Sequence, residues 1–553
     1  MCGILFAIQN GPQPVRAELL QQLQAANTSR GPDAQDSVGT SVDNYQLSFF
    51  VSELRLRGNI HVSQPHRDQE GNILCWNGEV FEGLSITLEE NDGSELFASL
   101  REQSTIEGVR DCLGSIEGPY VFVYYQRALQ RLYFARDPLG RRSLLIHRPT
   151  TASPNFLATS VSIGPHVDYD LEELLTDGIC CIDIGQLSKA QNARIHEINR
   201  AITDDPPKVH DLDHIENHLS SAVDDLIAHL DRSVMLRVQN IPPSIEGAGQ
   251  ARVAVLFSGG IDSTMLAFLA NSHVDPSEPI DLLNVAFENP RKITVKVEGN
   301  VGGLPNREKK LKLRNPLDYS TVNVSYDVPD RLTGLQEVEE LRRLCPGRKW
   351  NFVEINVPFE ESQCARQTIE AIMYPRRTVM DLSLALPLYF AARGIGQIRS
   401  QPEAKLEPYT TPARVLLNGL GSDELLGGYG RFRTTYKNAG WIGIIDELQL
   451  ELNRIPTRNL GRDDRIISSH GKEARHPFLS LSVVGFLARL PVHMKMDPRL
   501  DAGLGEKMLL RLAARRVGLI EASSRKKRAM QFGSHSARMM PGEGDRKGDF
   551  LID

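Results

Sequence analysis

Gly-x4-Gly-Lys-Ser/Thr occurs nowhere in the 553 residues, which excludes the phosphate loop of kinases and GTPases. No apolar run approaches the ~18 residues that a membrane-spanning helix needs. Cysteine is sparse: the seven are scattered, with no Cys-x-x-Cys pair and no zinc spacing, a pattern that fits a reducing compartment and a cytoplasmic protein. Positive charge is not in excess either. With 63 Lys plus Arg against 70 Asp plus Glu and a formal net charge of −7, bulk charge makes no case for nucleic acid or an anionic membrane as the main partner. What remains is an ordinary globular composition, 41% hydrophobic and 24% charged, on a chain long enough for two or more domains with cores of their own.

The chain is organised around Val253-Ala-Val-Leu-Phe-Ser-Gly-Gly-Ile-Asp-Ser-Thr264. The apolar, largely β-branched residues predict a buried strand and Thr264 to Asn271 a helix, so Ser258-Gly-Gly-Ile-Asp-Ser263 is a turn at a helix N-terminus. Gly259 and Gly260 let the backbone curl until its N–H groups converge on one oxygen cluster, and the helix end adds partial positive charge. Ser258 and Ser263 add hydroxyls. Asp262 suits an anion site only when a divalent cation bridges it to phosphates, which makes Mg·ATP the expected ligand and ATP with Mg²⁺ the expected cofactors. A lone Gly-Gly would be read as a plain tight turn. The full pattern after a clean strand resembles the pyrophosphate-binding loop of the ATP pyrophosphatase superfamily, whose members adenylylate a carboxylate or a nucleobase carbonyl.

At the other end of the chain, Met1-Cys-Gly-Ile-Leu-Phe-Ala-Ile8 predicts an apolar strand beginning at the first residue, where polar, frayed sequence is the rule. Removal of Met1 ahead of a small residue would leave Cys2 with a thiol and an α-amine, and the amine can serve as base for its own side chain. The bland alternative is a small buried cysteine. An ordered series follows: Arg30-Gly-Pro-Asp33, Leu54-Arg-Leu-Arg57, Gln64-Pro65, Trp76-Asn-Gly-Glu-Val-Phe81, Asn91-Asp92 and Ala135-Arg-Asp-Pro-Leu-Gly140. With the N-terminal motif, the series resembles the glutaminase domain of class II glutamine amidotransferases, and the whole chain resembles the asparagine synthetase family.

The resemblance implies an N-terminal nucleophile (Ntn) hydrolase-type αββα sandwich of antiparallel sheets over residues 2–205 and a doubly wound parallel sheet of the ATP pyrophosphatase type over 210–540. It implies Cys2 as nucleophile, with Asn77 and the Gly78 N–H as oxyanion donors. Arg57 or Arg55 would take the α-carboxylate of glutamine, and Glu79 and Asp92 its α-ammonium. For Arg136-Asp137 the preferred reading is an intradomain ion pair that organises a turn. In the second half, backbone around Leu256 and Val285 would meet adenine, with Asn418 and Gly419 alongside. Asp262 and Asp423, the latter within Gly421-Ser-Asp-Glu-Leu-Leu-Gly-Gly-Tyr429, would hold magnesium and pyrophosphate. Lys527 stands about one residue off the register of the family lysine near the acyl phosphate. Glu473 and Arg475 of Gly471-Lys-Glu-Ala-Arg-His-Pro-Phe-Leu479 read equally well as structural.

Two departures accompany the resemblance. A basic insertion at about 290–326, with eight Lys or Arg against two Glu in residues 291–314, reads as a solvated loop, with an RNA-contacting loop as the sharper alternative. Leu420 occupies the place of a family glutamate that assists amidation, a loss shared with the asparagine-synthetase-domain-containing proteins. The reading is therefore a glutamine- and ATP-dependent amidotransferase that passes ammonia to an adenylylated carboxylate, aspartate by default, with a homodimer as an allowed assembly. Its alternatives are modification of another acceptor such as tRNA, and a non-catalytic member that has lost the ligase step.

Overall fold

The structure, a computed structural model, describes residues 2–10, 14–58, 61–87, 89–183, 186–191, 196–203, 205–242, 249–288, 325–399, 404–539 and 550–552. The basic insertion lies, through residue 324, outside them.

The N-terminal half is two stacked six-stranded antiparallel sheets. In the first, Gly3–Asn10 is an inner strand between Tyr45–Glu53 and Phe156–Thr159. In the second, Ile73–Gly78, Tyr120–Gln126, Arg131–Arg136 and Gly178–Asp183 run side by side. Side chains that alternate along a strand go to opposite faces, and here both faces are covered. Ile4 and Phe6 join Val121, Val123 and Phe134 in the core between the sheets, while Leu5 and Ala7 pack with Leu19 and Leu23 of helix Ala17–Thr28. Tyr120, Phe122 and Tyr124 face helices Asp92–Arg101 and Ile106–Gly114 on the far side. The layers are thus α, β, β, α. Burial on both faces is why these strands are apolar throughout rather than alternating.

The C-terminal half is a seven-stranded sheet in the order Glu407–Thr410, Ile395–Ile398, Trp350–Val357, Ile280–Phe287, Val253–Leu256, Val415–Leu417, Glu473–Arg475. The last five are parallel, and the first two form an antiparallel edge. Helices Asn217–Val238 and Ile261–Asn271 cover one face and helix Val379–Arg393 the other, so the sheet is doubly wound. Val253–Leu256 pairs with Ile280–Phe287 on one side and Val415–Leu417 on the other. That makes its carboxyl end the topological switch point, where open α/β sheets bind ligands.

The helix after the glycine turn begins at Ile261, not at Thr264. Asp262 and Ser263 therefore lie in its first turn, because Gly260 already accepts the first helical hydrogen bond from Thr264. The two halves share apolar packing: Leu54, Leu56 and Leu139 belong to the same core cluster as Val253 and Leu479.

Candidate functional sites

Cys2 leads into the inner strand Gly3–Asn10, and its thiol is buried, which pushes its pKa up. Its N–H donates to Asn77 Oδ1 at 2.9 Å, and its carbonyl accepts from Arg30 Nε at 3.3 Å. Gln64 Nε2 lies 3.7 Å from Sγ, while Gln64 Oε1 accepts from Trp76 N at 2.9 Å. With Oδ1 engaged by Cys2, the fully buried Asn77 keeps its Nδ2 without a protein partner. A buried, unused donor next to a thiol is what a developing oxyanion requires. Gly78 follows under the indole of Trp76, where a Cβ would fall 2.5 Å from Cζ2, so no side chain fits there without moving the ring.

Arg57, Glu79 and Asp92 come together. Arg57 Nη1 contacts Glu79 Oε1 at 3.0 Å and Val80 O at 2.6 Å, and Asp92 accepts from Val80 N and Gly93 N, each at 2.9 Å. Burial raises both carboxyls, that of Glu79 to about 7 against the pull of Arg475 and Arg57. Arg55 points elsewhere, to Glu53 at 3.1 Å, so of the two arginines only Arg57 joins the cluster. Arg57 and Glu79 neutralise each other here. A zwitterionic amino acid would replace that pair with one matched charge on each side.

The second site is a cavity of about 560 Å³ at the switch point, lined by Leu256, Ser258 to Ser263, Val285, Asn418 to Leu420 and Asp423, and closed by Lys526 to Arg528. Gly259, at φ +73°, packs on Thr333 and Gly334, where a Cβ would lie 2.5 Å from Gly334 N. Ser258 Oγ accepts from Gly260 N at 3.3 Å and Ser263 Oγ donates to Gly260 O at 3.1 Å, so both hydroxyls help hold the turn. Gly419 lies against Asp262, 2.9 Å from a Cβ placed on the glycine to Asp262 Cβ. Eight lysines and arginines line the cavity against five aspartates, in a chain that is negative overall. Such local excess attracts a polyanion.

Lys507, which no sequence pattern marks, lies at the centre. Its Nζ sits 2.6 Å from Asp262 Oδ2, 2.7 Å from Asp423 Oδ1 and 3.0 Å from Ser422 Oγ, and Lys527 pairs with the other Asp423 oxygen. Burial alone would raise Asp423, but the two lysines hold it well below the usual carboxylate range. A cation already bridges the two aspartates, and Asp262 Oδ1 is buried without a hydrogen bond, so this donor pair also fits a divalent ion carried in by phosphates. No cage of three or more metal-ligating side chains occurs among the described residues. Glu424 does not face the cavity: it accepts from Gly421 N at 3.2 Å and from Tyr429 OH at 2.6 Å. Leu420 does face it, half-buried, its N–H donating to Asn418 Oδ1 at 3.0 Å.

Two expectations are resolved at the junction of the halves. Arg136 and Asp137 do not organise the turn as a pair. Asp137 binds Arg141 at 2.9 Å, whereas Arg136 donates to the carbonyls of Gly140, Arg142 and Leu174 and, across the junction, Pro456. The carboxylate nearest Arg136 is Glu173, 3.5 Å away, rather than the adjacent Asp137, whose oxygens accept from the backbone N–H groups of Leu139 and Arg141 in the turn. Glu473 and Arg475 prove to be buried members of a charged chain. Arg475 reaches Glu79, Glu473 binds Arg475 and Arg142, and Asp464 binds Arg142 and Arg30.

An antiparallel sandwich with a buried Cys2 at the start of its inner strand, joined to a doubly wound sheet with a glycine-turn cavity, has the architecture of a two-domain glutamine amidotransferase. Family models agree: glutamine amidotransferase domain matches residues 54–162, and asparagine synthase matches 248–446 and 437–544. The chain belongs to the asparagine synthase family. It is 36% identical to asparagine synthetase domain-containing protein 1 of Gallus gallus, over 98% of this chain and 97% of that protein. The Homo sapiens protein of that name is 34% identical over 97% of this chain and 95% of its own. A probable glutamine-hydrolysing asparagine synthetase of Acanthamoeba polyphaga mimivirus is 22% identical, over 90% of this chain and 79% of its own.

Proposed function

We propose that glutamine is hydrolysed at Cys2, that the ammonia passes inside the protein to the second cavity, and that a carboxylate activated there by Mg·ATP accepts it. The observation that carries the first step is Asn77: one amide atom fixes Cys2 and the other waits, buried and unpaired. Once Met1 is removed, the Cys2 nitrogen is an α-amine. Its contact with Asn77 Oδ1 then fixes the base relative to the thiol, whose burial otherwise disfavours the thiolate. Arg57 would pair with the α-carboxylate of glutamine, and Glu79 and Asp92 with its α-ammonium.

At the second site the glycine turn and the N-terminus of helix Ile261–Asn271 would receive phosphates, with adenine between Leu256 and Val285. Magnesium, when bound, would neutralise pyrophosphate as it leaves, and Asp262 and Asp423 would hold it. Lys507 and Lys527 would stabilise the same charge directly.

A second reading is favoured by one observation. Leu420 puts an apolar side chain on the cavity wall where a carboxylate would help ammonia lose a proton, which suits an altered acceptor or a lost ligase step. An isotope-traced assay of glutamine hydrolysis and pyrophosphate release, run with a panel of carboxylate acceptors and with tRNA, separates the readings. Glutamine hydrolysis coupled to pyrophosphate release with one acceptor supports the first; a silent second site with every acceptor supports the loss.

A further inference from the structure

His476 is 3% exposed, and among the described residues it is the one histidine whose two ring nitrogens are both buried without a hydrogen bond. Buried polar atoms are nearly always satisfied, so an imidazole left free at both ends marks a place for a small polar molecule. A neutral imidazole offers one donor and one acceptor. Ammonia, with one lone pair and three N–H bonds, complements both, as water does.

Position favours ammonia. His476 lies between the two sites: it directly follows Arg475, whose side chain is 3.5 Å from Glu79 and whose carbonyl accepts from Asn418 N at 2.9 Å. Its own carbonyl accepts from Leu479 N at 3.0 Å, and Leu479 packs on Gly421, beside Leu420. The charged groups nearest the ring are Arg142, Arg141, Arg237 and Asp464, and each arginine is already paired with a buried carboxylate: Arg142 with Glu473 and Asp464, Arg141 with Asp137 and Glu117, Arg237 with Glu117. With those carboxylates committed to arginines, a buried ammonium would find no free counter-charge here, whereas a neutral molecule needs none. Burial, with Arg142 next, pushes the His476 pKa down to about 3, so the ring stays neutral across any working pH.

We propose that His476 is a binding station for neutral ammonia between the glutamine site and the nucleotide-type cavity. The inference rests on the reading that ammonia is made at Cys2 and used at the second cavity.

The test is direct binding to the full-length protein carrying ¹⁵N in its histidine rings. Ammonium chloride is titrated in, with potassium chloride as the ionic-strength control, and the His476 signals are assigned from His476→Gln, or from His476→Asn if the first variant does not fold. One ring pair should shift saturably. Because only the neutral form binds, the total ammonium at half-saturation should fall roughly tenfold for each unit of pH between about 7 and 8. A ring that does not respond, a response that potassium chloride reproduces, or a midpoint indifferent to pH would overturn the station. Failure of the underlying reading shows separately, as a wild-type protein that does not hydrolyse glutamine.

Discussion

Arg475, on the last strand of the C-terminal sheet, lies 3.5 Å from Glu79 in the N-terminal sandwich, so a residue of one half helps to hold the carboxylate that the proposed function assigns to glutamine binding in the other. Both are buried, and Arg57 meets the other oxygen of Glu79 at 3.0 Å. Arg475→Gln should therefore weaken glutamine binding while leaving the thiol chemistry intact. A lost charge-assisted contact to a buried carboxylate is worth about 1–2 kcal/mol, a rise of roughly 5- to 30-fold in KM with kcat little changed. Steady-state glutaminase kinetics check this, and an unchanged KM would make Arg475 a purely structural partner of Glu473.

Asn77 serves Cys2 with one atom and keeps the other buried and unpaired, so if that atom meets the oxyanion as proposed, the loss of Asn77 touches both position and transition state. Asn77→Ala is expected to lower kcat for glutamine hydrolysis by about 10²- to 10³-fold, the cost typical of one oxyanion donor. Cys2→Ala should abolish hydrolysis and spare any reaction fed by external ammonia. Mass spectrometry of the native protein supplies the prior check, because a retained Met1 would leave the α-amine on the wrong residue.

The strand ending at Leu256 and its glycine turn are legible in the sequence, because an apolar run and a short motif are local properties of a chain, whereas the αββα layers and the set of Arg57 or Arg55, Glu79 and Asp92 are legible only through the family resemblance that the ordered motifs carry. Lys507 is not legible there as a site member, and the sequence marks Gln64 and Arg475 only as parts of motifs, without their contacts to Cys2 and Glu79. Lys507 sits at φ +53° outside any pattern, and meets Asp262 and Asp423 only because three distant segments converge. The Arg136-Asp137 pair fails for a related reason: adjacent opposite charges suggest a local bond, whereas folding offers each a better partner further away.

Asp330 lines the second cavity, and burial raises it from its ordinary 3.8 to about 7, with Arg528 opposing. Its folded pKa lies above its unfolded one, so between those values the folded state keeps a proton that the unfolded chain has released. The associated stability is present at low pH and is lost as pH rises toward 7. Asp330→Asn should abolish that loss. Thermal melts of the ligand-free protein should show the variant about 2–4 °C more stable than wild type near pH 8 and equal to it near pH 4. A constant difference across that range would mean that Asp330 is ionised throughout.

Lys507 divides its charge between Asp262 and Asp423, so removing it leaves two facing carboxylates without their shared cation. Lys507→Met should reduce ATP-dependent pyrophosphate exchange by at least about 10²-fold, since a positioned cation on a transferring phosphoryl group is among the larger single contributions to such a step. Asp262→Asn and Asp423→Asn should weaken Mg·ATP binding in calorimetry and leave glutamine hydrolysis near wild type. Equal nucleotide affinity in both variants would remove this cavity as the nucleotide site.

If ammonia reaches the second cavity as proposed, Leu420 on its wall bears on what happens next. Nitrogen attacking an acyl adenylate must shed a proton, and a positioned carboxylate speeds such a transfer by about 10²- to 10⁴-fold. Leucine can neither accept the proton nor orient the nucleophile, and Glu424 stands behind the lining, its oxygens engaged by Gly421 N and by the hydroxyl of Tyr429, which itself lines the cavity. The native chain should then form asparagine from aspartate slowly or not at all. Leu420→Glu places a carboxylate on a wall already rich in lysine and arginine, which compensates the charge it introduces. The variant should raise aspartate-dependent AMP and asparagine production by about 10-fold or more, provided that aspartate fits the cavity. Quantifying AMP and asparagine side by side in wild type and variant decides the matter: a wild type that already turns over aspartate briskly would show that the glutamate is dispensable here, and a variant that makes AMP without asparagine would place the defect in ammonia delivery.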